Sequence, residues 1–207
     1  VVSSMRLSSG ELFPIPIILD VSEADAARIS SLRTIGLVYQ GVLVAQMTPN
    51  DIFKIDKKSI LKRVYGTTDP SHPGIRHFNS IGKFFIGGEV KLIKQASHSL
   101  SRFEMTPEIT KHLFNERGFK TIAAFHTRNI PHRAHEWLHR MALDLCDGLF
   151  IQPLLGRKKE GDFSPEAIMT AYEALINGFL PKERVVLASL STGGRYAGPR
   201  EALFHAI

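Results

Sequence analysis

Lys120-Thr121-Ile122-Ala123-Ala124-Phe125-His126-Thr127-Arg128-Asn129-Ile130-Pro131-His132-Arg133-Ala134-His135 decides the fold. It reads as a short buried strand over 120–125, a turn over 126–131, and a helix from Pro131 to Leu145. Two more strand-like runs follow, Gly148-Leu149-Phe150-Ile151 and Arg184-Val185-Val186-Leu187-Ala188. Between them Ser164-Pro165-Glu166 caps a helix running to Asn177-Gly178, and a last helix begins near Pro199. Strand and helix thus alternate three times at short spacing. This predicts a parallel sheet with right-handed crossovers, a Rossmann-like α/β layer. Ligands of such sheets sit beyond the carboxyl ends of the strands. The three turns there, 126–131, 152–163 and 189–199, are all rich in Gly, Pro, Arg, Lys or His.

The chain before this region has a different period. Thr106 caps a helix with Pro107 at its first position, and Gly118 ends it. Upstream the sequence is β-rich. Leu12 to Asp20 is apolar, but its prolines demote it to an edge strand or extended segment. Ser22 caps a short helix to Ile29. Ile35–Tyr39 and Val42–Gln46 are strands joined at Gln40-Gly41, a hairpin signal. Ser59 to Tyr65 reads as a short helix, and Gly66 to Asn79 as loop. Phe84 to Ile93 is a strand with a bulge or turn at Gly87-Gly88. The expected division is a β-rich domain over 1–105 and an α/β domain over 106–207.

Composition narrows the class. Of 207 residues, 43% are hydrophobic and 22% charged, as in ordinary globular proteins. No apolar run suits a membrane span, so no membrane role is expected. Cys146 is the only cysteine, which excludes an internal disulfide; it reads as a buried thiol, compatible with a cytoplasmic location. The net charge of +6 suits an anionic partner, either nucleic acid or small phosphates and oxyanions. Aromatic residues do not interleave with the basic groups as a stacking platform needs, so nucleic acid is not the expected partner.

Each turn offers phosphate chemistry. A helix start at the first turn points unpaired N–H groups and a partial positive charge at whatever lies above it. Arg128 adds a planar fork for an oxyanion, and Asn129 can cap the helix or bond a phosphate oxygen. His132 and His135 share one helical face and can donate to a leaving pyrophosphate. With His139 they also have metal-ligand spacing. Their order lacks the glutamate inside the pair that a zincin requires, and no resident metal is expected. In the second turn Gly156 permits close backbone approach, and Lys159 belongs to a basic triplet suited to phosphate or sulfate. In the third, Arg195 precedes the helix at Pro199, where Arg200 and Glu201 read as a structural pair.

These turns together resemble the ATP sulfurylase (sulfate adenylyltransferase) family. Its members carry Gln-Thr-Arg-Asn-Pro-x-His-Arg-x-His, then His-Pro-Leu-x-Gly-x-x-Lys-x-Gly-Asp, then Met-Arg-Tyr-Ala-Gly-Pro-Arg-Glu-Ala. Gly10-Glu11-Leu12-Phe13-Pro14-Ile15-Pro16-Ile17 and Val64-Tyr65-Gly66-Thr67-Thr68-Asp69-Pro70-Ser71-His72-Pro73-Gly74 resemble it too. Five motifs in the family's order are far more specific than any one.

The resemblance implies an α+β then α/β architecture: a PUA-like β-rich domain followed by a Rossmann-like nucleotidyltransferase domain, incomplete at its C-terminal end. It implies the reaction of MgATP with sulfate to give adenosine 5′-phosphosulfate and pyrophosphate, by direct attack of sulfate on the α-phosphorus. Thr127, Arg128 and Asn129 become the catalytic trio. His126, Arg128, His132, His135, Gly156, Lys159, Arg195 and Ala197 become the substrate- and nucleotide-binding set. Mg2+ enters with ATP. A homo-oligomer is expected, fused to or working with an adenylylsulfate kinase.

Three positions depart from the family pattern. His126 stands where the family has glutamine, Gln152 where it has histidine, and Gly194 where it has methionine. They bear on kinetics, direction and acceptor choice. The family's later Gly-Arg-Asp-His-Ala-Gly-Pro loop is not in this sequence, and a molecule ending at Ile207 is expected to turn over poorly or not at all. The alternatives are a non-catalytic module of a fused sulfate-activation protein, an RNA-binding protein, and an adenylyltransferase for another acceptor.

Overall fold

Ser22, Asp56, Thr106 and Ser164 each open a helix, their side-chain oxygens accepting the backbone N–H two or three residues on. Pro107 and Pro165 occupy first helical turns, where a missing N–H costs nothing. These local signals punctuate two separate units of the computed structural model, which describes residues 1–156 and 161–207. One unit comprises Val1–Ala96 with Arg195–Ile207, the other Ser97–Gly194.

In the first unit the elements run β1 (Asp20–Val21), α1 (Glu23–Ile29), β2 (Ile35–Tyr39), β3 (Val42–Lys54), α2 (Lys57–Tyr65), α3 (Pro73–Ser80) and β4 (Phe84–Leu92). The strands form an antiparallel sheet in the order β1-β4-β3-β2. Gln40 and Gly41 both take positive φ, 49° and 79°, which matches the hairpin twist. The register shifts between Pro49 and Asp51, opposite Gly88 and Gly87. The expected irregularity at the glycines is thus an extra residue in their partner strand. Ile29, Met47 and Ile86 form one buried cluster. Leu61, Ile75 and Phe78 form another, between α2 and α3.

Two expectations need correction here. The stretch 66–79 is not all loop, because Pro73 nucleates α3. β3 runs on to Lys54, well past Gln46. Leu12 to Asp20 is extended as expected, with an isolated bridge, Arg6 to Leu12, and the first residue of the edge strand β1.

The second unit holds α4 (Pro107–Glu116), β5 (Ile122–Thr127), α5 (Arg133–Leu145), β6 (Gly148–Pro153), α6 (Pro165–Phe179) and β7 (Val185–Leu187). β5, β6 and β7 are parallel neighbours in that order, as the strand–helix alternation predicts. Leu149, Ile151 and Val185 from the sheet pack with Ile168, Met169 and Tyr172 of α6 in one core. Burying each such side chain contributes about 1.5–3 kcal/mol. Leu100 and Phe103 join this core, and Glu104 bridges to Ser189. The division therefore falls at 96/97 rather than 105/106. Cys146 is half-buried at the end of α5, not deep in the core.

The last helix, α7 (Pro199–Ala206), belongs to the first unit. Ala197 is buried with Ile15 and Val64, and Arg200 donates to the carbonyls of Val2 and Pro14 at 3.0 and 3.2 Å. No helix among the described residues is long and apolar enough to cross a membrane.

Candidate active site

The first turn, the start of the second and residues 189–194 of the third meet at the carboxyl end of the second unit's sheet, through backbone pairing. Thr127 lies opposite Pro153 in register. One residue on, the Leu154 N–H donates to the Thr127 carbonyl at 2.7 Å. Leu190 N–H donates to the Pro153 carbonyl at 2.9 Å, and Leu155 N–H to the Leu190 carbonyl at 3.0 Å. Gly156 then abuts the third turn. A Cβ on it would fall 1.9 Å from the Thr192 carbonyl oxygen and 2.4 Å from the Gly193 nitrogen. Glycine is required there by the neighbouring backbone, a reason the motif alone does not reveal.

Within the first turn, Thr127 is buried, and its Oγ1 accepts the Asn129 N–H at 3.2 Å. This side chain shapes the turn. Arg128 and Asn129 are exposed, as is His126. Behind Thr127 lies Tyr172, fully buried in α6. Burial raises the Tyr172 pKa, and the adjoining Thr127 hydroxyl opposes that shift. Nothing in the sequence singled Tyr172 out, because a tyrosine on an apolar helix face reads as core.

α5 begins in an unusual way. Its cap is His132, not Asn129: the Ala134 N–H donates to His132 Nδ1 at 3.2 Å. The His132 N–H donates to His135 Nδ1 at 3.3 Å, which closes a reciprocal capping box made of two imidazoles. With both Nδ1 atoms accepting, each neutral ring carries its proton on Nε2, which remains as its donor. The rings lie 4.0 Å apart. Burial, and then the neighbouring His132, lower the His135 pKa below the ordinary histidine value. Both effects favour the neutral donor form.

His139 continues the stripe but not the site. It is completely buried, with its ring 4.5 Å from Phe125 and 6.1 Å from Tyr172. Neither ring nitrogen has a partner. Burial, reinforced by His135 and opposed by Glu136, lowers its pKa to about 4. The metal-like spacing of 132, 135 and 139 therefore does not gather three ligands. Among the described residues no group of three His, Cys, Asp or Glu could hold a metal ion.

Arg195 and Ala197 are in the first unit. Arg195 places its guanidinium 5.0 Å over the Phe204 ring, and Ala197 is buried. Arg200 and Glu201 do not act as a pair. Arg200 takes the carbonyls named above, while Glu201 accepts the N–H groups of Arg195 and Ala197 at 2.5 and 3.0 Å. Lys159 lies outside the described residues.

Comparison with known proteins fits this arrangement. Residues 1–95 match the PUA-like domain family, and residues 101–207 match the ATP-sulfurylase family. The chain is 41% identical over 207 residues to the sulfate adenylyltransferase of Thermococcus onnurineus (strain NA1), covering all of this chain and 54% of that protein. It is 44% identical to the sulfate adenylyltransferase of Hyperthermus butylicus, again over all of this chain and 53% of the relative. It thus spans about half the length of these relatives. Among solved structures, a hexameric APS kinase from Thiobacillus denitrificans superposes with a TM-score of 0.72 at 22% identity, over 99% of this chain and 37% of that one. That likeness concerns the fold alone. Because the family match takes in every residue from 101 to 207, the three turns included, the chain belongs to the ATP-sulfurylase family.

Proposed function

We propose that the full-length protein is a sulfate adenylyltransferase, a nucleotidyltransferase that makes adenosine 5′-phosphosulfate and pyrophosphate from MgATP and sulfate. One observation carries the reading. The first turn, the start of the second and residues 189–194 come together at the carboxyl end of a parallel sheet, and the helix that starts there opens on a His132–His135 capping box. In this reading the second unit is a Rossmann-like nucleotidyltransferase domain.

A sulfate oxygen attacks the α-phosphorus, forming the S–O–P bridge. The bond from that phosphorus to the β-bridging oxygen breaks, and pyrophosphate leaves with the electron pair. No covalent enzyme intermediate is needed, so catalysis rests on placement and charge stabilisation. Arg128 holds the oxyanion with its planar fork. Asn129 contacts phosphate, and Thr127 keeps the Arg128–Asn129 turn in shape through its bond to the Asn129 N–H. His132 and His135 donate from Nε2 to the β- and γ-phosphates as charge develops on them. His126, Gly156, Lys159, Arg195 and Ala197 are assigned to substrate and nucleotide binding by the family resemblance. The described imidazole and guanidinium groups suit phosphate oxygens rather than a cation, so Mg2+ enters as part of the nucleotide.

A reaction that consumes ATP fits a cytoplasmic location. Homo-oligomerisation, and work alongside an adenylylsulfate kinase, belong to the same proposal. The test is sulfate-dependent pyrophosphate release by the full-length protein. Arg128→Ala is expected to lower it by about 10²–10³-fold. A folded full-length protein that releases no pyrophosphate with sulfate sinks the reading.

A further inference from the structure

The loop between Arg195 and Gly198 is held in a conformation it would not adopt alone. Tyr196 sits in the left-handed region at φ 60°. For a non-glycine residue this costs on the order of 1 kcal/mol and persists only where the surroundings impose it. The Glu201 carboxylate brackets the strained residue, with one oxygen accepting from the Arg195 N–H and the other from the Ala197 N–H. A glutamate at the third position of a helix usually reaches back to the cap residue itself. Here it reaches past the cap, Gly198, into the loop.

The 64–74 segment, to which the proposed reaction assigns no role, packs on the same loop. A Cβ on Gly74 would lie 2.2 Å from the Arg195 carbonyl oxygen and 2.6 Å from the Tyr65 ring. Tyr65 is within electrostatic reach of both Arg195 and Glu201, and its ring packs on His72 with centroids 5.5 Å apart. On the far side Phe204, braced by Phe13 at 5.5 Å, supports the Arg195 guanidinium. His205 Nε2 lies 3.7 Å from Glu201.

We propose that Glu201 is the positioning residue that fixes the Arg195–Gly198 loop for the nucleotide, with Gly74 supplying the opposing wall. This rests on the nucleotide-binding assignment of Arg195 and Ala197 made above. Glu201 itself touches no substrate; it sets the backbone that presents them.

The test measures ATP affinity of the full-length protein by equilibrium dialysis, with circular dichroism and melting recorded for each variant. Glu201→Ala is expected to raise the ATP Kd about tenfold or more, near 1.4 kcal/mol. The sulfate KM should stay within about twofold. Glu201→Gln keeps one acceptor oxygen and should fall between Glu201→Ala and wild type, and it serves if the alanine variant does not fold. Gly74→Ala pushes on Arg195 from the other side and should also weaken ATP binding. A folded Glu201 variant with wild-type ATP affinity overturns the proposal. So does an affinity loss that merely follows melting temperature across the set. Wild-type protein that binds ATP but releases no pyrophosphate with sulfate overturns the reaction and leaves the positioning role standing. Failure of wild type to bind ATP overturns both.

Discussion

His126 and Gln152 are direct partners across the parallel β5–β6 pair, so their side chains leave the same face of the sheet. They are also two of the three positions that depart from the family pattern. By the family resemblance the two positions carry glutamine and histidine in the opposite order. Exchange keeps one imidazole and one amide at the mouth of the sheet. His126→Gln and Gln152→His should therefore each raise the sulfate KM several-fold. The double exchange should return it to within about twofold of wild type, since residues in contact commonly couple by 0.5–3 kcal/mol. A double-mutant cycle in sulfate kinetics decides the matter; additive effects would show two independent substitutions.

His132 has two roles that substitution can separate. As cap it accepts the Ala134 N–H through Nδ1; as proposed catalyst it donates from Nε2. Asparagine places an oxygen where Nδ1 sits and is among the best capping residues. His132→Asn should melt within about 1 kcal/mol of wild type yet lose about 10²-fold in kcat. His132→Ala should lose the cap as well, at a cost of about 1 kcal/mol in stability. If His132→Asn turns over normally, the imidazole acts only as a cap.

Much of this fold was legible because it is built from local signals. Ser164-Pro165, Thr106-Pro107 and Gln40-Gly41 act within a few residues of themselves, and they fall where the sequence put them. What escaped depends on distant packing. Pro199 to Ile207 follows a β7 strand of the second unit, yet Arg200 binds carbonyls near the N-terminus, a pairing no local pattern encodes. Asn129 is a candidate cap of α5 by residue type, beside its candidate phosphate contact; histidine in the capping role is unusual enough to be overlooked. His139 drew notice only for its metal-like spacing with His132 and His135. Its spacing of four from buried Leu143 placed it on the apolar face, and that signal was there to be read.

The buried His139 should make the protein acid-sensitive. Its pKa is about 4 in the folded state against an ordinary histidine value of 6.5, so the fold favours the neutral ring. That stability is fully present above pH 6.5 and is lost as pH falls from there towards 4, where the unfolded chain binds the proton and the folded one does not. The whole effect is on the order of 3 kcal/mol. His139→Leu removes the titration, as well as two buried nitrogens without partners. His135, Glu136 and Tyr172, which face the ring, remain in both proteins. Urea midpoints at pH 4.5 and 7.5 should differ less in His139→Leu than in wild type. Equal pH dependence would place the acid sensitivity elsewhere.

Gly156 separates packing from binding most sharply. The motif suggests a ligand contact, but its Cα faces the Thr192–Gly193 backbone at a distance that leaves no room for a methyl group. Backbone cannot move aside as a flexible side chain can, and the second and third turns are joined by the Leu155–Leu190 bond just before it. Gly156→Ala should therefore prise these turns apart. The expected cost is about 3 kcal/mol of stability, the upper range for overpacking, seen as a lower melting temperature with or without ATP. Amide exchange should rise at Leu155 and Leu190, which lie in and beside that joint, and not at Ala134 of α5. A variant that melts like wild type but binds ATP weakly would instead make Gly156 a ligand-approach glycine.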